Sequence, residues 1–170
     1  TGLARAVDHN WPQGHFGCAV AAAWSLCATR SLPRGAEEAL GRELDAVVEA
    51  RSYLFEPMGG GSADPDLLAD IPTTLDGHIR PLRHGGHDVI YAAFALDGLA
   101  TRPDLATPEI VSGIRSLLET VLELEPEADF WGVEVDSPEA DGTYETETEL
   151  VEAAFREAVR FDPMYYQIQG

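Results

Sequence analysis

Hydrophobic residues follow two different helical patterns in the first third of this chain. From about residue 15 to 29 nearly every position is apolar, whereas from about residue 35 to 55 apolar residues recur every three or four positions between charged ones. The first pattern is typical of a helix buried on all sides, and the second of a helix that faces the core on one side. We predict an inner helix and an outer helix, connected through Pro33 as an α-hairpin.

The same pair of patterns occurs a second time. Residues 89 to 100 are apolar around almost the whole helical circumference, and residues 110 to 122 form a two-faced segment. Thr107, Pro108 and Glu109 precede that segment, which is the order expected for an N-cap, a first-turn proline and a favourable first-turn acid. The second copy therefore predicts another α-hairpin.

The remaining segments predict one more helix and two loops. An amphipathic stripe over about residues 145 to 161 indicates a fifth helix. Residues 56 to 86 are rich in glycine and proline, and residues 125 to 144 are acidic without periodicity, so both are expected to be loops. No alternation is long enough to build a sheet. We predict an all-α fold in a single domain over residues 1–170, or a fragment of a longer chain.

The two hairpins look like an internal repeat with an offset of 72 residues. Nine of the 28 positions from 14 to 41 are identical to the positions 72 residues later, where chance gives roughly two or three. The identities comprise Gly14, His15, Ala21, Ala23, Ala28, Thr29, Arg30, Glu37 and Gly41. We place the repeat at residues 14–50 and 86–124, which indicates one supersecondary unit used twice.

The alternation of inner and outer helices over roughly residues 14 to 124 resembles the α/α-toroid architecture of glycosidases, terpenoid cyclases and lanthionine cyclases. The resemblance is one of architecture, and no residue roles follow from it. Five predicted helices are too few to close such a toroid, so the resemblance implies a partial array or a compact helical bundle.

Charge and cysteine content restrict the partners and the compartment. Thirty acidic residues against eleven arginines and no lysine give a net charge of −19, which disfavours nucleic acid and anionic membranes as partners. No apolar run is long enough to span a bilayer. Cys18 and Cys27 lie on one predicted helix, roughly 13 Å apart, too far for a mutual disulfide. We expect buried free thiols and a cytoplasmic protein.

All five histidines lie shortly before or at the start of an inner helix. His9 and His15 accompany the first, and His78, His84 and His87 accompany the second. If the hairpins pack side by side, both groups reach the same face of the molecule. Histidine is the commonest metal ligand and the side chain best suited to proton transfer near neutral pH. The repeat therefore predicts a shared site at the N-terminal ends of the inner helices.

The leading hypothesis is an enzyme or enzyme domain that acts on a small organic molecule. His15 and His87 would be the catalytic acid and base, with Asp88 as a partner that orients an imidazole. Four further residues are candidate ligand contacts: His9, His84, Trp11 and Tyr91. The sequence names no cofactor and leaves a bound metal open.

Two alternatives stay open. One is a non-catalytic helical-repeat protein that binds a protein partner or forms a homo-oligomer, because a histidine at a helix start also caps backbone groups. Histidines buried against each other's loops, with no cavity beside them, would indicate this non-catalytic protein. The other is a His/Asp metal-dependent hydrolase, since His87-Asp88 invites comparison with HD-class phosphohydrolases. In that family the pair closes a helix, whereas here it opens one.

Overall fold

The computed structural model describes residues 1–29, 32–76 and 84–124, and three isolated residues further on, Thr146, Glu149 and Glu152. The chain divides into two compact units, Thr1–Glu134 and Val135–Gly170. In the second unit the backbone N–H of Glu149 donates to Thr146 Oγ1 at 3.2 Å. The expected single domain stays a prediction, and apart from these three residues the expected fifth helix lies outside the described residues.

The first unit is built from helices alone in its described part, which confirms the all-α prediction. Seven α-helices occur: α1 Gly2–Ala6, α2 Gly14–Thr29, α3 Arg34–Ala50, α4 Ser52–Phe55, α5 Asp70–Leu75, α6 His87–Thr101 and α7 Pro108–Leu122. Short 3-10 turns connect them at Trp11–Gln13, Pro65–Ala69, His84–Gly86 and Pro103–Leu105. Of the helices described, none combines the length and the apolar character needed to cross a membrane.

Helices α2, α6 and α7 begin and end close to their predicted positions, and α3 begins close to its own. Thr107 is the N-cap of α7, and its hydroxyl accepts from the N–H of Ile110 at 3.4 Å. The predicted second helix breaks at Arg51, after which α4 follows α3. The expected loop over residues 56 to 86 is wrong in part, because it contains α5. Six residues are too few for an apolar period to be recognised in the sequence.

Burial differs from the predicted inner and outer layers. The two-faced helix α7 forms much of the core through six buried residues, Ile110, Val111, Ile114, Leu117, Leu118 and Val121. Helix α3 has no buried residue, and the apolar helix α2 leaves Trp24 40% and Leu26 41% exposed. An apolar composition allows a helix to be buried but does not place neighbours on every side of it.

Helix α7 is central because the short helix α1 packs against it and also against α2. Two glycines let the backbones approach closely. A methyl group at Gly17 would lie 2.6 Å from the backbone nitrogen of Leu3, and one at Gly113 would lie 2.6 Å from the carbonyl oxygen of Ala4. The short helix α1 thereby covers the apolar face of α7, and α2 and α6 pack around the same centre.

Candidate functional site

The structure brings His15 and His87 into direct contact. His15 is the second residue of α2, and His87 is the first residue of α6. Their Nε2 atoms are 2.9 Å apart, and the ring centroids are 4.8 Å apart with the planes at 71°. The two imidazoles that the repeat predicted to meet therefore form a hydrogen-bonded pair.

The neighbouring carbonyl assigns the proton positions in this pair. His15 Nδ1 lies 2.8 Å from the carbonyl oxygen of Pro12, which can only accept, so Nδ1–H is the donor. In the neutral ring Nε2 of His15 then accepts from Nε2–H of His87. If both rings carried two protons, two N–H donors would face each other and the contact could not persist. Both nitrogens of His15 are thus engaged within the protein.

Tyr91 supports the pair from the core. Its side chain is fully buried, and its ring packs on Gly14, where a methyl group would lie only 2.7 Å from Cζ. The hydroxyl donates to the carbonyl oxygen of Trp11 at 3.1 Å and lies 3.1 Å from His15 Nδ1. Burial raises the pKa of the Tyr91 phenol, and the nearby Cys18 raises it further. Tyr91 is therefore a neutral hydrogen-bonding support.

The aromatic neighbours of the histidines are the ones that the sequence singled out. The Trp11 ring lies 5.1 Å from the His87 ring and 6.3 Å from the His15 ring. The Tyr91 ring lies 5.7 Å from each imidazole in edge-to-face geometry. His15, His87, Trp11 and Tyr91 form a cluster of four rings, which we call the histidine cluster.

Asp88 does not join the histidine cluster by hydrogen bonds. The residue is fully buried, and neither carboxylate oxygen has a hydrogen-bond partner in the part of the chain that the structure describes. The expected hydrogen-bonded partnership with His15 or His87 is therefore not formed, and Asp88 is buried in the core together with Ala92 and Ala95 of α6. Buried carboxylates without a partner are rare, since desolvating one costs several kcal/mol.

Among the other predicted histidines, His9 has a described side chain, and it lies apart from the cluster. His9 packs edge-on against Tyr53 with ring centroids 4.5 Å apart, and the Tyr53 hydroxyl donates to Gln13 Oε1 at 2.9 Å. The backbone of His84 begins the turn before α6, where Gly85 and Gly86 both have positive φ. His78 and the side chain of His84 lie outside the described residues.

A metal centre finds no support in the described ranges. Nowhere within residues 1–29, 32–76 and 84–124 do three or more His, Cys, Asp or Glu side chains come together as ligands. The two cysteines are free thiols, with Cys18 buried and Cys27 half-buried. Burial raises the pKa of Cys18 to about 12, so this thiol is neither a nucleophile nor a ready metal ligand at neutral pH.

The sequence did not reveal an apolar cavity of about 270 Å³ away from the histidine cluster. It lies between α1, α2 from Gly17 to Trp24, Phe55 of α4, the C-terminal half of α6 and the start of α7. The residues that line it include Leu3, Val20, Trp24, Phe55, Phe94, Gly98, Leu99, Arg102 and Ile110. No periodic signal marks such a space, because its walls come from segments far apart in the sequence.

Comparisons of the chain with protein families, with curated proteins and with solved structures found no match in any of the three. The histidine cluster and the cavity are therefore the features that bear on function.

Proposed function

We propose that this chain is a non-catalytic helical-repeat protein that binds a small molecule, and that the histidine cluster is a structural joint between its two helix pairs. The observation that carries the proposal is the engagement of both His15 nitrogens, one by Pro12 and one by His87. A general base needs a nitrogen within reach of its substrate. His15 is exposed, and both of its nitrogens are engaged by groups of the protein in this arrangement.

The helix boundaries support a duplicated helix pair. Moving α2 (Gly14–Thr29) by 72 positions gives residues 86 to 101, beside α6 at His87–Thr101. Moving α3 (Arg34–Ala50) gives residues 106 to 122, beside α7 at Pro108–Leu122. The same ring atom, Nε2, meets its counterpart from the other copy. A joint between equivalent positions is what a repeat with internal pseudo-symmetry would place near its axis.

The location of the cavity supports binding rather than catalysis at the histidines. The pair holds the N-terminal ends of α2 and α6 against each other, while the cavity is lined by α2 from Gly17 to Trp24 and by α6 from Phe94 to Leu99. Small-molecule sites are mostly apolar concave spaces between helices. We infer that the joint keeps α2 and α6 at a fixed interhelical angle, which preserves the cavity between them.

An acid–base enzyme is the second candidate, and Asp88 is the observation that favours it. A fully buried carboxylate without a hydrogen-bond partner in the described residues, adjacent to a histidine, is more typical of functional sites than of structural ones. In this hypothesis His87 would exchange its contact with His15 for a substrate. The metal-dependent hydrolase receives no comparable support.

A double-mutant cycle tests the structural joint. We expect His15→Gln and His87→Gln each to lower the urea-derived unfolding free energy by about 1 kcal/mol, and the double variant to lose clearly less than the sum, because the pair is one shared hydrogen bond. His9→Gln is the matched control, since His9 contacts Tyr53 instead, and we expect its effect to add independently.

Additive effects of the two cluster substitutions, or a gain in stability from either, would contradict the joint. A gain would favour the enzyme, because residues retained for catalysis are often costly for stability.

The cytoplasmic location stays part of the proposal and is supported by the two free thiols.

A further inference from the structure

We propose that the cavity binds a neutral and predominantly apolar molecule about as large as two fused aromatic rings. The inference rests on the proposed binding function and names its ligand class. The cavity is formed by α1, α2, α6 and α7 and contains none of the histidine-cluster residues.

The size of the cavity sets the size of the ligand. An apolar cavity of roughly 150 Å³ accommodates benzene, and this cavity has a volume of about 270 Å³. Three aromatic side chains contribute to its wall, Trp24, Phe55 and Phe94. Aromatic rings prefer edge-to-face and offset-stacked contacts with one another. A flat bicyclic aromatic molecule matches the volume of the cavity and can pack against the aromatic side chains of its wall.

The charges around the cavity select a neutral ligand. Among the described residues that line the cavity, Arg102 is the single one with a charged side chain, and its guanidinium is held by Asp104 through two hydrogen bonds of 2.9 and 2.7 Å. That hydrogen bond lowers the pKa of Asp104. The arginine charge is therefore already balanced, and a chain with a net charge of −19 repels anions. Thr1 also lines the cavity, and burial lowers the pKa of its α-amino group, which favours the neutral amine. A cation would find no carboxylate among the cavity-lining residues in the described part of the chain.

Gly98 keeps part of the cavity open. It lies inside α6, where a methyl group would meet no atom within 4 Å. Glycine is a poor residue for a helix interior, and a larger side chain would fit here without a clash. Gly17, Ala21 and Ala95 are further small residues among the large apolar ones of the wall. A side chain at residue 98 would occupy the space that the ligand needs.

Isothermal titration calorimetry with indole tests the ligand class, with indole-3-acetate and tryptamine as an anion and a cation of the same ring. We expect indole to bind, and each charged analogue to bind at least about tenfold more weakly because its charge would be desolvated without a partner. Tighter binding of either charged analogue, or no binding of indole, would overturn the proposal.

The Gly98→Leu variant tests the location, with Gly41→Leu as its control. Gly41 is also a helical glycine with nothing within 4 Å of a methyl group, but it lies on α3 and does not line the cavity. We expect at least about tenfold weaker indole binding in Gly98→Leu and less than about twofold change in Gly41→Leu. Circular dichroism verifies that both variants fold. Equal indole affinity in both variants would refute the assignment to this cavity.

The two proposals fail separately. Absence of indole binding together with an intact coupling between His15 and His87 overturns the ligand class alone. Indole binding that Gly98→Leu abolishes, together with additive histidine substitutions, supports the cavity and overturns the structural joint.

Discussion

At the scale of single residues, identical amino acids of the two proposed copies have different environments. Gly41 and Gly113 are equivalent under the offset of 72, yet a methyl group would meet empty space at Gly41 and the carbonyl oxygen of Ala4 at Gly113. The difference arises because α1 packs against α7 and has no counterpart at α3. Sequence identity between the proposed copies therefore does not show in which of them the glycine is required for close packing.

The two glycines predict opposite effects of the same substitution. We expect Gly113→Ala to lower the unfolding free energy by about 2 kcal/mol or more, because the backbones of α1 and α7 must separate. Gly41→Ala should raise it by about 0.5–1 kcal/mol, since alanine is the better helix residue. Urea unfolding of both variants measures the difference, and equal effects would contradict the close contact of α1 with α7.

Cys18 and Tyr91 predict a loss of stability in alkali. Their ordinary pKa values are 9.0 and 10.0. Burial raises the pKa of Cys18 to about 12 and also raises that of Tyr91. Above about pH 9 the unfolded chain releases these protons while the folded protein retains them, so stability falls as pH rises.

Thermal unfolding between pH 8 and about pH 11 measures this alkaline loss. We expect the Tm to fall with pH in the parent protein and to fall less steeply in a Cys18→Ala, Tyr91→Phe double variant. A slope that is the same in both proteins would show that neither group carries the effect.

At the scale of elements, helix length and hydrophobic pattern do not predict how deeply a helix is buried. Helix α1 has only five residues, and four of them are buried: Gly2, Leu3, Ala4 and Ala6. Helix α3 has seventeen residues and a clear apolar stripe, yet none of its residues is buried. Periodicity reports which face of a helix can be buried, whereas the neighbouring elements decide whether it is.

The hydrogen bonds of Arg5 predict that α1 is held to the turn after α4. Its guanidinium donates to the carbonyl oxygens of Glu56 and Pro57 at 2.9 and 3.0 Å. We expect Arg5→Met, which retains an unbranched side chain, to lower the unfolding free energy by about 1–3 kcal/mol, because these are hydrogen bonds from a charged donor. Arg42→Met on the exposed part of α3 is the control. Similar losses in both variants would argue against a special role for Arg5.

At the scale of the whole molecule, negative charge is in large excess. The net charge is −19, and the ion pairs of the described residues, Arg102–Asp104, Arg115–Asp70 and Arg115–Glu119, all have partly exposed partners. Exposed pairs contribute little to stability, so they do not offset the repulsion between like charges in the folded chain.

The charge excess predicts stabilisation by salt. Raising ionic strength from about 0.01 M to about 0.15 M shortens the screening length from about 30 Å to about 8 Å, which weakens repulsion in the compact state more than in the unfolded chain. We expect urea unfolding to show a higher unfolding free energy at the higher sodium chloride concentration. A decrease would mean that attractive pairs dominate the electrostatics.

The sequence by itself determined the four long helices, most of their ends, the N-cap Thr107 and the all-α class, because periodicity and capping are local properties. It also predicted that His15 and His87 would meet, since equivalent positions of two stacked copies face each other. It did not predict the break at Arg51 that ends α3. Only the tertiary structure decided that α1 covers α7, that α2 stays partly exposed, that Asp88 is buried without joining the histidines and that a cavity opens beside Gly98. These features depend on contacts between residues far apart in the chain, which no local pattern encodes.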